Sequence, residues 1–224
     1  MNDASPTEAR QEALSTPRMK LAAWQAQRLE STYADLRASE RYAPATAFFL
    51  QDLYGPTDFT KRDRDAERVV SKMRRILPER AMAAIESAMH LNKLSLTLDE
   101  ETAAMLFTTM GVEVVDGASC AEAYRRCDYR SRRIEQIALI EELGMELDVV
   151  VKKPLVQMAL KLARGPAHLA GLGELQEFLE RGVSAFLHMK GAEHFLHTIV
   201  HRERQILDAI YAGVDDPFTL DLDP

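Results

Sequence analysis

Helix-forming residues limit how this chain can fold, since it holds 30 alanines and 27 leucines against 12 valines and 8 isoleucines. Alanine and leucine lose little conformational freedom in a helix, whereas β-branched side chains are restrained against the preceding turn. Ten glycines and nine prolines in 224 residues are fewer than average usage gives. β-branched residues cluster only in the short stretches 112–115 and 149–151. We therefore predict an all-α fold of about eight to ten helices in a single domain, with orthogonal or bundle-like packing.

Polar ends flank the apolar part of the chain. We predict a flexible N-terminal tail over residues 1–17, a helical domain over 18–213 and an acidic flexible tail over 214–224. The net charge of −7 argues against general nucleic-acid binding, which needs a basic footprint. No apolar run reaches the roughly 18 residues of a membrane span, and no apolar signal core follows Met1. These features predict a cytoplasmic protein.

Capping residues, glycines and prolines divide the domain into helices. Three pairs resemble capping boxes, namely Thr60–Asp63, Thr97–Glu100 and Ser119–Glu122. Gly144 is placed as a C-terminal cap. The predicted helices run from 18 to about 39, from 44 to the stop at 55–56, from 60 to 77, from 78 onward, from 97 to 111, from 119 to about 143, from 154 to 165, from 174 onward and from 190 to 212.

An apolar stripe marks the first helix. Ala22, Ala26, Leu29, Tyr33 and Leu36 recur at spacings of three and four residues, so they share one helical face. Such a narrow stripe is typical of packing against another helix. The partner is either a helix of the same chain or a second copy in a homodimer.

Arginines are dense in two predicted helices. One group lies between residues 61 and 75, and the other consists of Arg125, Arg126, Arg130, Arg132 and Arg133. The guanidinium group holds carboxylates and phosphates through two parallel hydrogen bonds. Interleaved acids favour solvated, salt-bridged faces. Contact with an anionic partner through Arg125, Arg126, Arg130 and Arg133 is the alternative.

Histidines and cysteines give weak indications of chemistry. His194, His197 and His201 share one helical face, which would suit a haem or divalent metal if a second helix supplied ligands. Charged neighbours on that face favour simple solvation, so we predict no cofactor and keep haem or metal as the alternative. Cys120 and Cys127 are two turns apart on one helix and cannot form a disulfide while it is intact.

One block resembles a known family. The segment 48–56 (FFLQDLYGP), followed by Asp58-Phe59 and Arg62-Asp63, resembles the signature of the FFLEE-motif proteins, which are bacterial proteins of unknown function. Stretches 124–126, 133–137 and 171–189 are also similar, so the resemblance covers roughly residues 42–213. Gln51 and Asp52 stand where the family name has two glutamates. The resemblance implies no activity or ligand.

Three functions remain open. We expect a non-enzymatic binding or regulatory module that recognises a protein or an anionic partner, because no hydrolase, kinase or dehydrogenase motif occurs. A haem- or metal-binding protein is the second hypothesis. The third is a cofactor-free enzyme with a polar site where Asp52, Tyr54, Arg62 and Asp63 meet at the corner of the signature block.

Overall fold

The computed structural model describes residues 16–53, 64–66, 68–69 and 79–220, and the statements below concern these residues. They form helices and contain no strand, which confirms the all-α prediction. The helices are α1 (Pro17–Thr32), α2 (Ala34–Ala38), α3 (Ala43–Phe48), α4 (Glu79–Ala103), α5 (Gly117–Cys127), α6 (Arg130–Val151), α7 (Pro154–Leu169), α8 (Gly173–Met189) and α9 (Glu193–Ala212). π-Helical segments Phe49–Leu53 and Ala104–Thr109 extend α3 and α4. No helix in this part of the chain is both long and apolar enough to cross a bilayer.

Helix α6 occupies the middle of the domain, with α4 and α9 packed along it and α8 and α7 beside it. Apolar residues of α1 to α3, α8 and α9 form the largest core cluster. Leu29, Tyr33 and Leu36 belong to this cluster. The stripe of the first helix is therefore covered within the chain, which settles the choice between an internal helix and a second copy for these three residues.

The predicted helix over 18–39 is interrupted at Tyr33, where the backbone leaves helical geometry (φ −114°, ψ 27°). A side chain from α9 meets the backbone there, because Arg202 donates to the carbonyl oxygen of Thr32 at 2.9 Å. The same guanidinium pairs with both carboxylate oxygens of Asp35 at 2.7 Å. A tertiary contact thus accompanies a break that local sequence does not signal.

The prediction that Thr97 and Glu100 start a helix is wrong, since α4 runs without interruption through both residues. The hydroxyl of Thr97 donates to the carbonyl oxygen of Lys93 one turn earlier, at 2.9 Å. This hydrogen bond satisfies the threonine inside a helix.

The predicted helix over 119–143 is two helices. Asp116, not Ser119, is the N-cap of α5, and the two side chains satisfy each other's backbone N–H groups at 2.8 and 3.0 Å. The chain turns at Asp128, which adopts the left-handed conformation (φ 53°) that aspartate tolerates better than most residues. Helix α6 then continues through Gly144, so the predicted cap there is wrong.

Helix α7 is longer than predicted, and part of the predicted C-terminal tail contacts the domain. Helix α7 passes through Gly165 and Pro166 and ends at Leu169, although Pro166 has no N–H to donate to the carbonyl oxygen of Leu162. After α9, Phe218 packs edge-on against Trp24 with ring centroids 5.1 Å apart. Within the predicted tail over 214–224, Phe218 thus contacts α1, while residues 221–224 lie outside the described residues.

Candidate functional site

A cavity of about 60 Å³, lined by both polar and apolar side chains, lies between α1, α4, α5, α6 and α9. Isoleucines and leucines form much of its wall. The polar side chains that line it are Gln25, Arg28, Asp99, Tyr124, Arg133, Gln136 and Glu203. The volume is enough for a few water molecules, which polar cavities of this size commonly hold.

One half of the cavity contains a partly buried ion pair between α1 and α9. Arg28 donates to both carboxylate oxygens of Glu203, and the longer contact is 3.1 Å. Tyr33 donates its hydroxyl to Glu203 at 2.7 Å. The Nε of Arg28 is buried and has no hydrogen-bond partner among the described residues. An unsatisfied donor of this kind favours a bound water or another acceptor.

The other half of the cavity contains Arg133 of α6. Its guanidinium donates to the hydroxyl of Thr102 at 3.0 Å and to the amide oxygen of Gln136 at 3.1 Å. It also lies over the ring of Tyr124, 4.4 Å from the ring centroid, and 3.8 Å from a carboxylate oxygen of Asp99. Burial raises the pKa of Asp99, even though the charge of Arg133 favours the carboxylate.

Burial also makes the nearby titratable groups hard to ionise. It raises the pKa of the Cys120 thiol to about 12 and that of the Tyr124 hydroxyl to about 12. A thiol with this pKa is a poor nucleophile at neutral pH. Cys120 and Cys127 are both free thiols on α5, as the sequence predicts. The cavity thus joins four helices through paired charges, α1 with α9 and α4 with α6, and holds no activated nucleophile among these groups.

The structure does not bring the four predicted arginines together on one open surface. Arg125 and Arg126 share the carboxylate of Glu122, at 3.0 and 2.7 Å. Arg130 pairs with Asp208 at 2.7 Å. Arg133 is buried in the cavity wall, where it cannot meet a partner protein.

The described part of the signature block packs α3 against α8. Asp52 accepts from Arg181 at 2.6 Å, and Phe48 lies over Gly182, where a Cβ would approach its ring to 2.9 Å. Phe49 is buried and lines the cavity. Packing and one ion pair account for these residues. Tyr54, Arg62 and Asp63, the other candidates at this corner, lie outside the described residues.

The three histidines of α9 are exposed. The rings of His197 and His201 stack with centroids 5.9 Å apart, and His194 lies beside Tyr42 at 5.6 Å. Within the described residues, no three His, Cys, Asp or Glu side chains are grouped so that they could hold a metal ion.

Helix α7 has an apolar face that is exposed in the described part of the structure. None of its sixteen residues is buried, and Leu155, Met158 and Leu162 are 73%, 53% and 71% exposed. Leu169, two turns after Leu162, is 92% exposed. With Gly165 these residues are spaced by three and four, so they form one stripe, called the α7 stripe below. The α7 stripe was not predicted from the sequence, although its spacing is visible there.

The opposite side of α7 packs against α8 and α6. Gln176 of α8 donates to the carbonyl oxygen of Leu160 at 2.7 Å, and Arg164 pairs with both carboxylate oxygens of Glu180 at 2.9 and 2.7 Å. Gln157 donates to the carbonyl oxygen of Val151 at 2.9 Å. These contacts fix which face of α7 points outward.

A family model described as a domain of unknown function (DUF8198) matches residues 5–217. No curated protein and no solved structure matches the chain.

Proposed function

The chain belongs to this family of unknown function, and we propose that it is a non-enzymatic interaction module whose α7 stripe docks an amphipathic helix of a partner protein. The observation that carries the proposal is the exposure of Leu155, Met158 and Leu162 on a helix whose other side is fixed to the domain.

An exposed stripe of this kind is unusual on a surface helix, which normally turns its apolar side to the core. Contiguous exposed apolar patches on soluble proteins mark interaction sites. Apolar residues that alternate at spacings of three and four form the contact line between paired helices. Helices that bind in an apolar groove use anchor residues with the same spacing. Burying one leucine contributes about 1.5–3 kcal/mol, so Leu155 and Leu162 together offset much of the cost of association.

The other functions have less support. The histidines of α9 face solvent, and no described residue near them completes a metal site. The proposed polar corner rests on Tyr54, Arg62 and Asp63, outside the described residues. The FFLEE-motif relationship, a bacterial origin and a cytoplasmic location stay predictions of the sequence.

A designed peptide tests the proposal directly. The probe is a fluorescein-labelled amphipathic helix of about three heptads, with leucine at the a and d positions and uncharged residues elsewhere. We expect saturable binding by fluorescence anisotropy, weakened at least about tenfold in the double variant Leu155→Ser/Leu162→Ser.

Val114→Ser is the matched control, because Val114 is 81% exposed but lies far along the chain from α7, between α4 and α5. This variant should bind like the wild type, and thermal melts should show that all variants fold. Absence of saturable binding, or equal affinity in the double variant, would contradict the proposal.

A further inference from the structure

Building on the proposed function, we infer that the partner helix is acidic, with carboxylates flanking the apolar residues that meet the α7 stripe. Helix α7 contains Lys161, Arg164 and His168 and no Asp or Glu, although acids outnumber bases in the whole chain by 35 to 28. Lys152 and Lys153 precede it. Helix α7 thus has basic residues and no acidic ones on an otherwise acidic protein.

Two of these cations are available to a partner. Arg164 is paired with Glu180, and Lys152 with Asp148 at 2.6 Å. Lys153 and Lys161 are exposed and form no ion pair with any described residue. Lys153 is also the N-cap of α7, where the helix dipole disfavours a cation, so a carboxylate there would relieve that repulsion as well.

Lys161 borders the stripe itself. If Leu155 and Leu162 take the a positions of a heptad and Met158 the d position, Lys161 takes a g position. Residues at e and g of two paired helices face each other and select partners by charge. A partner helix with Glu or Asp at these positions therefore meets Lys161, whereas a basic helix is repelled.

The same charges disfavour a second copy as the occupant. When two α7 helices pair face to face, each flank meets only neutral or basic residues of the other helix, because α7 has no acid. Like charges across such a seam weaken association. The stripe is therefore better matched to a different, acidic helix than to itself.

Two charged versions of the designed peptide test the inference, with glutamate or lysine at every e and g position. We expect the acidic peptide to bind about fivefold more tightly than the uncharged one at low salt and to lose this advantage as salt rises. Lys161→Glu should abolish the preference. Lys93→Glu, at an exposed lysine of α4, is the matched control and should keep it.

Each of the remaining outcomes would overturn a specific part of the proposal. If the uncharged peptide binds and the acidic one binds no better, the charge inference fails while the proposed function stands. If no peptide binds, the proposed function itself fails. A mass in solution that doubles with concentration, and does not do so in Leu162→Ser, would make a second copy the occupant. If the protein bound phosphatidylglycerol vesicles more tightly than the acidic peptide, and Leu162→Ser lost this vesicle binding, the occupant of the stripe would be a membrane surface.

Discussion

Leu196 of α9 lies against the backbone of α6 at Gly144, where a Cβ would overlap Cδ2 of the leucine. Real Cβ atoms do not approach a carbon so closely, so the two helices require glycine at this position. Leu196 is itself buried in the main core cluster and has little room to move. The contact sets how closely α6 and α9 pack.

Gly144→Ala is therefore expected to destabilise the protein by about 1–3 kcal/mol, although alanine is the better helix former by about 1 kcal/mol. Urea unfolding measures the change. The double variant Gly144→Ala/Leu196→Ala should lose less stability than the two single variants together, because the shorter side chain at 196 makes room for the new Cβ. Additive effects would show that the close contact is not the cause.

Arg133→Met is expected to cost about 3–5 kcal/mol, because it leaves buried Gln136 and Thr102 and partly buried Asp99 without their guanidinium partner. Arg126→Met is the matched control, since Arg126 pairs with Glu122 at the surface and such pairs contribute at most about 1 kcal/mol. Equal losses for the two variants by chemical unfolding would argue against a structural role for the cavity network.

Asp35→Asn tests the pair that Asp35 forms with Arg202. Hydrogen bonds from this guanidinium lower the pKa of Asp35 in the folded state. Because the native pKa is below the unfolded value of about 3.9, the stabilisation is fully present above that pH and is lost as the pH falls through the native pKa.

The variant should therefore be less stable than the wild type by about 1 kcal/mol at pH 7, and the gap should shrink at pH 3. Urea unfolding at both pH values measures it. Asp208→Asn, which removes a surface partner of Arg130, is the control and should change stability little. A gap that stays constant with pH would mean that the charge of Asp35 is not involved.

Asp116→Ala is expected to destabilise the protein by about 1 kcal/mol, because the N-cap of α5 would lose its acceptor for the N–H of Ser119. Thermal unfolding gives the size of the effect. Glu122→Ala removes the acid that the sequence pairs with Ser119, yet this acid takes no part in the cap. A larger loss for Glu122→Ala than for Asp116→Ala would contradict the assignment of the cap.

The sequence predicted the helices well where local signals are sufficient. Pro154 begins a helix, the last helix ends at residue 212, and the stripe of Leu29, Tyr33 and Leu36 is buried as its spacing indicates. The predicted helix boundaries were wrong where a residue distant in sequence decides them. Arg202 meets the backbone at the break after Thr32, and Leu196 explains a glycine inside α6 that resembles a cap when only its neighbours are read.

The candidate sites were harder to predict for the same reason. The cavity draws Arg28, Asp99, Arg133 and Glu203 from four helices separated by up to 175 positions, and no spacing along the chain connects them. Arg133 resembles a surface arginine in its cluster, and only the packing of α4 against α6 buries it. The α7 stripe was visible as a pattern, but its exposure was not.

By itself, the sequence determined the fold class and the faces of the helices, because the preference of alanine and leucine for helix and the periodicity of apolar residues act within a few turns. Tertiary structure decided which apolar face is covered and which is left open. The stripe of α1 and the α7 stripe have similar spacing, yet the first is buried in the core and the second faces solvent. Burial depends on the partners that the whole chain brings to a helix, and those partners are distant in sequence.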